Sequence, residues 1–481
     1  MSAPLIWIVF PALAGLAFWF IRRRTGLVIV LSTLLCLVLA LLASVLPIGQ
    51  LIRVGPLSFT IEPALDFVGR RLLLDTGNRA YLIFVYLLCA FWFAGASAAR
   101  ASRLLIPFGL GMVALLIAAQ AVEPFLYAAL LVEMAVLLAV PILAPPGEKF
   151  SQGVLRFLIF QTLAMPFILL AGWAMAGVEA NPTNVTLVTF SIAFLGLGFA
   201  FWLAVFPFYT WIPLLAEQTF PYVSGFVFLL LTTNNLLLGL SFIDSFGWLR
   251  ASPNLFSAIN LVGTVMVVTA GVWSAFQKDL SRLFGYAVIV ETGFSLLAVG
   301  LASRSGQELF AGMFLPRLVG LALWALSLSI LMREARSARF EDLQGVGQRM
   351  PFATVGFAVA SLTLGGLPLL AVFPIRQALL EELARQTLPG ALWVLAGSFG
   401  VLVSILRALS ILIRGRAALV EVADDIDTPQ PEARARLTIS ETRWQISLLL
   451  GGIAILLLIG IFPQVFLPIL NGLLSGYTQL P

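Results

Sequence analysis

The sequence predicts an all-α polytopic membrane protein of about fourteen transmembrane helices, some of them broken. Three observations carry that prediction. Hydrophobic residues make up 60% of the 481 positions and charged residues 11%, with a mean hydropathy of +1.04, far outside the range of soluble domains. Apolar runs of about 20 residues, enough to cross a hydrocarbon core, recur from one end of the chain to the other. Two of these regions are interrupted by prolines, at Phe206-Pro207-Phe208-Tyr209-Thr210-Trp211-Ile212-Pro213 and at Gly365-Gly366-Leu367-Pro368 with Pro374 beyond. A break frees backbone groups that lipid cannot satisfy, so it survives only inside a bundle or beside a water-filled cavity. Paired breaks in two halves of a chain point to a transporter built from inverted repeats.

The elements follow in order. Span 3–21 has its arginines, Arg22 to Arg24, after the apolar run instead of before it, which marks a retained helix and not a cleaved signal. Span 26–46 leads into a stretch, 47–78, where Pro56, Pro63 and alternating apolar residues predict a short hairpin. Spans 79–98, 104–121 and 124–143 come next, the last carrying Glu133. Spans 155–177 and 186–206 precede the first break, and 221–243 follows it with Asn234 and Asn235 inside. Spans 256–276, 284–302 and 309–332 contain Glu291 and, after Pro316, Arg317. Span 351–373 holds the second break, and 375–389 beyond it continues the helix or lies at the interface. Spans 391–413 and 444–470 complete the set. Between them, residues 414–443 carry Asp424, Asp425 and Asp427 among arginines, and Pro429-Gln430-Pro431 offers no metal-ligand spacing. That composition predicts a solvated loop.

Charge placement orients the chain. With the N-terminus outside, alternate loops hold 18 lysines and arginines on the cytoplasmic side against 7 on the other, as the positive-inside rule requires. An even span count then puts both termini on the non-cytoplasmic side, in a bacterial inner membrane. The net charge of +5 reflects these topology-setting arginines and implies a lipid partner, not nucleic acid. The chain has no histidine and only Cys36 and Cys89, each alone in an apolar run. Histidine-ligated haem, histidine-ligated zinc and cysteine-ligated clusters need ligands that are missing here, so no cofactor is expected. Both cysteines read as small buried hydrophobes.

Ionisable groups at bilayer depth cost at least ~2.5–3.5 kcal/mol each and mark function by default. Glu133 in Leu131-Val132-Glu133-Met134-Ala135 is too central to snorkel. Either it takes and releases protons, or it pairs with an arginine of a neighbouring helix. Glu291 in Val288-Ile289-Val290-Glu291-Thr292-Gly293 is equally central, and Arg317 or Arg376 is its candidate partner, in a buried pair or a proton relay. Arginine stays protonated, so it can fix a neighbour's charge but carries protons poorly. Arg407 and Glu123 lie near span ends, where snorkelling explains them. Asn234, Asn235 and Gln161 supply mid-membrane amides for inter-helix hydrogen bonds or a water path.

These features occur in a recognisable order. Glu133-Met134, the Pro-Phe-Tyr-Thr-Trp-Ile-Pro break, Asp279-Leu280-Ser281-Arg282-Leu283 with Tyr286, and Gly366-Leu367-Pro368 resemble the antiporter-like membrane subunits of respiratory complex I. That family includes the large Mrp-type cation/proton antiporter subunits and related hydrogenase subunits. The resemblance spans residues 120–385. It implies fourteen helices with two inverted five-helix repeats, here 104–243 and 256–413. Residues 1–103 form three preceding helices, and 414–481 a cytoplasmic loop and last helix. It also implies a midplane proton path of Glu, Lys and His side chains. This chain departs from the pattern. Trp202 stands at the family's lysine position, Ala204 at its first proline and Tyr209 at its histidine. Thr233 matches another lysine position, Pro316-Arg317 the usual histidine, Arg376 a Lys or Glu, and Glu291 a His or Gln. Glu133 alone matches the proton-transfer set directly.

The resemblance implies a proton-translocating subunit of a complex I-like NADH/quinone oxidoreductase. Such a subunit works with other membrane subunits and protons and has no redox centre of its own. Glu133, Glu291, Arg317 and Arg376 are the candidate proton-path or charge-relay residues. An Mrp-type antiporter subunit and a non-conducting scaffold subunit are the alternatives.

Overall fold

A computed structural model of the chain describes residues 2–54, 57–67, 69–145, 147, 150–180, 184–252, 254–414, 440–474, 476–477 and 479–480. The acidic cluster Asp424, Asp425 and Asp427 and the Pro429-Gln430-Pro431 segment lie outside them. The protein is a helical membrane bundle. A π-helical turn, Leu5–Val9, opens into α1 (Phe10–Phe20), followed by α2 (Thr25–Val45). Residues 47–78 form two antiparallel hairpins instead of one. They are β1 (Leu51–Val54) with β2 (Leu57–Thr60), and β3 (Ala64–Phe67) with β4 (Arg70–Leu73). A two-residue strand, β5 (Val122–Glu123), joins β4 in register Arg71 to Glu123. Glu123 is therefore a strand residue and not the start of a helix.

The helices α3 (Arg79–Gly95), α4 (Leu105–Ala121), α5 (Ala128–Leu143), α6 (Gln152–Ala180) and α7 (Val185–Trp202) follow. After the first break come α8 (Trp211–Gln218), α9 (Pro221–Ser245) and the short α10 (Gly247–Arg250). The second half comprises α11 (Leu255–Ala275), α12 (Leu280–Gly300), α13 (Arg304–Ala335), the short α14 (Phe340–Leu343) and α15 (Pro351–Gly365). Beyond the second break lie α16 (Phe373–Gln386), α17 (Leu388–Ile413), α18 (Arg443–Ile461) and α19 (Pro463–Asn471). Among the described residues, 11 helices are long and apolar enough to cross a membrane, and Leu5–Phe20, Leu105–Ala121 and Pro351–Gly365 are shorter apolar ones.

Prolines move three expected boundaries. The first interruption covers residues 203–210, and Trp211-Ile212-Pro213 already belongs to α8. Pro213 occupies its first turn, where the missing N–H has no helical partner to lose. For the same reason Pro374 begins α16 instead of prolonging the second break, and span 351–373 ends early at Gly365. Pro463 likewise starts α19, so the expected span 444–470 is two helices.

Burial sorts the helices into layers. The most apolar window of α9 is 94% buried, and those of α12 and α13 are each 89% buried, against 28% in α7, α11 and α18. Outward apolar side chains such as Leu13, Val30, Leu41 and Trp173 are exposed, as lipid-facing residues are. Close backbone approach replaces hydrophobic driving force inside lipid. A Cβ on Gly271 of α11 would collide with the Gly397 carbonyl oxygen of α17, so those helices meet backbone to backbone. Asp279 caps α12 by accepting from the Ser281 and Arg282 amides, each at 2.9 Å. Arg282 reaches the Glu217 carboxylate of α8 at 2.7 Å. The Asp-Leu-Ser-Arg motif thus starts α12 and ties it to the far side of the first break.

Glu441 is buried, and its two carboxylate oxygens accept from the Ala353 amide at 2.6 Å and the Phe352 amide at 3.2 Å. It caps α15 from the segment before α18. Glu441→Ala leaves both donors without their partner and destabilises the protein by roughly 1–3 kcal/mol. Glu441→Gln, which keeps an acceptor, recovers part of the loss. Thermal unfolding of purified protein in nanodiscs reads both effects, and an unchanged midpoint in the alanine variant rules the cap out as a stabilising element.

Candidate functional site at the second helix break

Glu291 lies midway along α12, one of the three enclosed helices, and is 2% exposed. Helical spacing places Phe294 and Ser295 on its face, at i+3 and i+4. The second break brings a cation to that face. The chain turns at Gly366 (φ +75°) and Leu369 (φ +72°), then re-enters a helix at Phe373. Arg376 falls in the first turn of α16, is buried, and donates from Nη2 to Glu291 Oε1. Its guanidinium carbon also lies 4.1 Å from the centre of the Phe294 ring. A Cβ on Gly366 would come within 3.2 Å of Arg376 Nη1. Glycine is needed there twice, for the left-handed turn and for the space that the guanidinium occupies.

Arg317 completes the cluster. It follows Pro316 within α13, is 3% exposed, and donates from Nη1 to Ser295 Oγ at 3.0 Å. Ser295 Oγ in turn donates to the Glu291 carbonyl oxygen at 3.0 Å. One carboxylate therefore sits with two guanidiniums, on three different elements, deep in the bundle. Nε and Nη2 of Arg317, and Nε and Nη1 of Arg376, have no hydrogen-bond partner among the described residues. A cluster with more cation than anion and four free buried donors is a polar island in an apolar bundle. Such donors call for water or a mobile acceptor.

The first break is built differently. Trp202 and Tyr209 are both buried. Phe201 and Phe208 pack at a tilt across the gap with ring centres 4.5 Å apart, and Phe160 contacts both. Phe199 meets Trp202 edge-on, and Gln161 donates to the Trp202 carbonyl at 3.4 Å. Glu133 is half-buried on α5, flanked by outward-facing Met134 and Leu137. Thr162 of α6 donates to its Oε1 at 2.8 Å, and Oε2 has no partner among the described residues. Among the described residues no cation pairs with Glu133. The structure thus brings Glu291, Arg317 and Arg376 together, and neither a hydrogen bond nor an ion pair links Glu133 to them. Arg407, near the end of α17, turns its guanidinium to the Ala275 carbonyl.

The match to known proteins extends over this whole region. Residues 77–404 match the family described as NADH:quinone oxidoreductase/Mrp antiporter, TM. The chain belongs to that family. NADH-quinone oxidoreductase subunit N of Cereibacter sphaeroides is 29% identical over 329 residues, covering 65% of this chain and 66% of that protein. Subunit N of Acidithiobacillus ferrooxidans is 24% identical over 289 residues, covering 60% and 56%. The matched region spans about two fifths to two thirds of such relatives. Solved structures share the fold. A chain of respiratory complex I from Thermus thermophilus with bound NADH superposes with TM-score 0.72 at 19% identity, over 99% of this chain and 98% of that one. A chain of the Mrp complex from Dietzia sp. superposes with TM-score 0.77 at 14% identity, over 99% and 97%. The archaeal membrane-bound sulfane sulfur reductase contains another, with TM-score 0.75 at 15% identity, over 100% and 98%.

Within this family member the sequence singled out the charges but not their supports. Phe294 and Ser295 lie one turn beyond Glu291, so checking its i+3 and i+4 positions would have found them. Thr162, 29 positions from Glu133 and on another helix, left no comparable signal. Arg376→Met strands the Glu291 carboxylate, and breaking a buried pair this way costs about 3–5 kcal/mol. Adding Glu291→Leu restores part of that stability, because the carboxylate no longer needs a partner. Thermal midpoints in nanodiscs measure the cycle. Strictly additive effects exclude a coupled pair.

Proposed function

We propose that this chain is a proton-translocating, antiporter-like membrane subunit of a complex I-like NADH/quinone oxidoreductase, with the Glu291–Arg376–Arg317 cluster at its working centre. The observation that carries this is the cluster's position. A carboxylate with two arginine neighbours sits mid-helix on α12, against a helix break, where lipid does not reach. Intramembrane ionisable groups that face a bundle interior belong to ion pathways, and the family is named for quinone oxidoreductase and antiporter subunits. In this reading Glu291 takes and releases the proton. Arg376 and Arg317 set its charge state, and the swing of Glu291 between them is the two-state element that an energy source must bias. Redox energy arrives from partner subunits, since the role of this chain needs no cofactor of its own.

The finer architecture belongs to the same proposal. The 11 long helices and three shorter apolar ones make fourteen crossings of a bacterial inner membrane, with both termini on the non-cytoplasmic side. Residues 104–243 and 256–413 are the two inverted five-helix repeats, preceded by the helices of 1–103 and followed by 414–481. In that scheme α5 and α12 are repeat mates, and so are Glu133 and Glu291. Glu133 is then the second proton-path candidate, with Thr162 in the place of a cation.

One observation favours a second reading for the first repeat. Its break is filled by aromatic rings, and among the described residues no ion pair lies within 203–210, which suits a half that scaffolds and does not conduct. The test is proton transfer by the assembled complex. Glu291→Gln lowers it by about 10²-fold, as expected on losing a proton-transfer group, with assembly intact by size and subunit content. Glu133→Gln lowers it less. Unchanged transfer in both variants refutes the conducting reading and leaves the scaffold. Alkalinisation of vesicles driven by a sodium gradient instead assigns the chain to an Mrp-type antiporter.

A further inference from the structure

We propose that the seam between the two halves of the bundle is a lipid-binding site. One acyl chain of a phospholipid, from the leaflet on the hairpin side, lies in an apolar groove between α7 and α11, with its headgroup at α10. The site requires only that the chain sits in a membrane, so its failure leaves the proton-transfer reading untouched.

A cavity of about 340 Å³ separates α7 from α11. Leu195 and Phe199 line one wall, Ile259 and Val262 the other, and Leu236 of α9 with Leu296 of α12 form the floor. Gly196 on the α7 edge and Ala258 on the α11 edge are exposed, so the groove opens sideways toward lipid. A Cβ on Gly196 would meet nothing within 4 Å, which leaves that side of the groove clear.

Water does not suit this space. Its lining is apolar apart from Ser252 and Asn254 at one end, and a water needs two to four polar partners. Left empty, the groove forfeits dispersion contacts along every wall. The apolar filler that a bilayer supplies in bulk is the acyl chain. Length agrees. From Leu255 to Val262 on one side, and from Ile243 back to Leu236 on the floor, the lining runs along roughly 10 Å of helix. A hydrocarbon core of ~30 Å gives each leaflet roughly 15 Å, so the groove takes most of one extended chain from one leaflet. The C-terminal end of α9 lies beside Leu73 and Val122 of the hairpin sheet, which places the mouth on the hairpin side.

The polar end of the groove is equipped for a headgroup. Short α10 carries Trp248 and Arg250 on either side of Leu249, itself a lining residue. Trp248 Nε1 is buried and has no hydrogen-bond partner among the described residues, and indoles favour the headgroup level, where an acceptor is at hand. Arg250 is half-buried and folds back over the end of α9, donating to the Ile243 carbonyl at 3.1 Å and to the Asp244 carbonyl. A guanidinium is thereby fixed at the mouth, where it complements a lipid phosphate.

The inner end reaches the first break. Leu203 and Val205, both within the interruption, line the groove, and so does Leu296, the neighbour of Ser295. The bound chain therefore packs against the broken segment of one half and the Glu291-bearing helix of the other.

The experiment uses the full chain in nanodiscs doped with a phosphatidylethanolamine that carries a diazirine in its acyl chain. The discs are dissolved in detergent and washed before irradiation, so that loosely held lipid is lost. Cross-links persist at 192–205, 236–243 and 255–262 and vanish at the outward-facing positions Leu13, Val30 and Trp173. Gly196→Phe fills the groove and lowers the retained cross-linking about tenfold, the effect of displacing two methylenes. Ala258→Phe does the same from the opposite wall should Gly196→Phe fail to fold. Gly451→Phe, at an exposed position of α18 where a Cβ also meets nothing within 4 Å, leaves the signal unchanged. Equal loss of cross-links at groove and outward-facing positions means boundary lipid only and overturns the site. Retention that neither groove variant lowers does the same. The same diazirine chain on a diacylglycerol, which offers Arg250 no phosphate, is retained several-fold less, and equal retention overturns the phospholipid as occupant.

Discussion

A carboxylate in the middle of a helix that lipid never touches must find a cation, and most of the second half of this protein is arranged around that need. Glu291 sits on α12, whose apolar window is 89% buried. An isolated charge there would cost several kcal/mol after every relaxation. The nearest chain that can answer it comes from a helix that stops and restarts. Gly366 takes a left-handed turn, Pro374 restarts the helix, and Arg376 arrives within its first turn. Without the break, α15 would run on as a straight helix, and Arg376 would lie about three turns beyond Gly365. The helix break and the buried charge are one device, each pointless without the other.

The same interruption serves a different end in the first half. There the chain breaks over residues 203–210, yet the gap is closed by Phe160, Phe201, Phe208 and Trp202. Aromatic rings bury area and stack, so they hold a broken helix together without charge or water. Arg282 and Glu217 then tie α8 to α12, which fixes the first break to the element that carries Glu291. One break is thus closed by aromatic packing, and the other holds a buried ion pair.

Much of this was legible in the chain itself. Hydropathy alone located the helices to within a few residues, because a bilayer punishes any exposed backbone polar group. Boundaries failed where proline was read only as a breaker. Pro213, Pro374 and Pro463 all sit at helix starts, where a missing N–H costs nothing. The composition of the site was visible too, since Glu291, Arg317 and Arg376 stand out against their apolar surroundings. Their pairing was not. Which arginine meets Glu291 depends on the rotation of α12 against α13 and on the path through 366–372, and neither leaves a periodic signal. Glu133 shows the limit most sharply. Leu, Val and Ala surround it on all sides in sequence, so nothing marked its face as the outward one beside Met134 and Leu137.

That outward placement carries its own argument. A half-buried carboxylate with one oxygen bonded to Thr162 has its other oxygen unpartnered among the described residues. In lipid such a group is expensive, and the apolar side chains around it offer no relief. Its repeat mate in the proposed scheme, Glu291, is completed from within by Arg376. The asymmetry follows from which element supplies the cation. In the second half the helix break folds an arginine inward, whereas the first break is filled by aromatic rings. Charge is thus completed within the bundle at Glu291, whereas Glu133 keeps one carboxylate oxygen without a partner among the described residues.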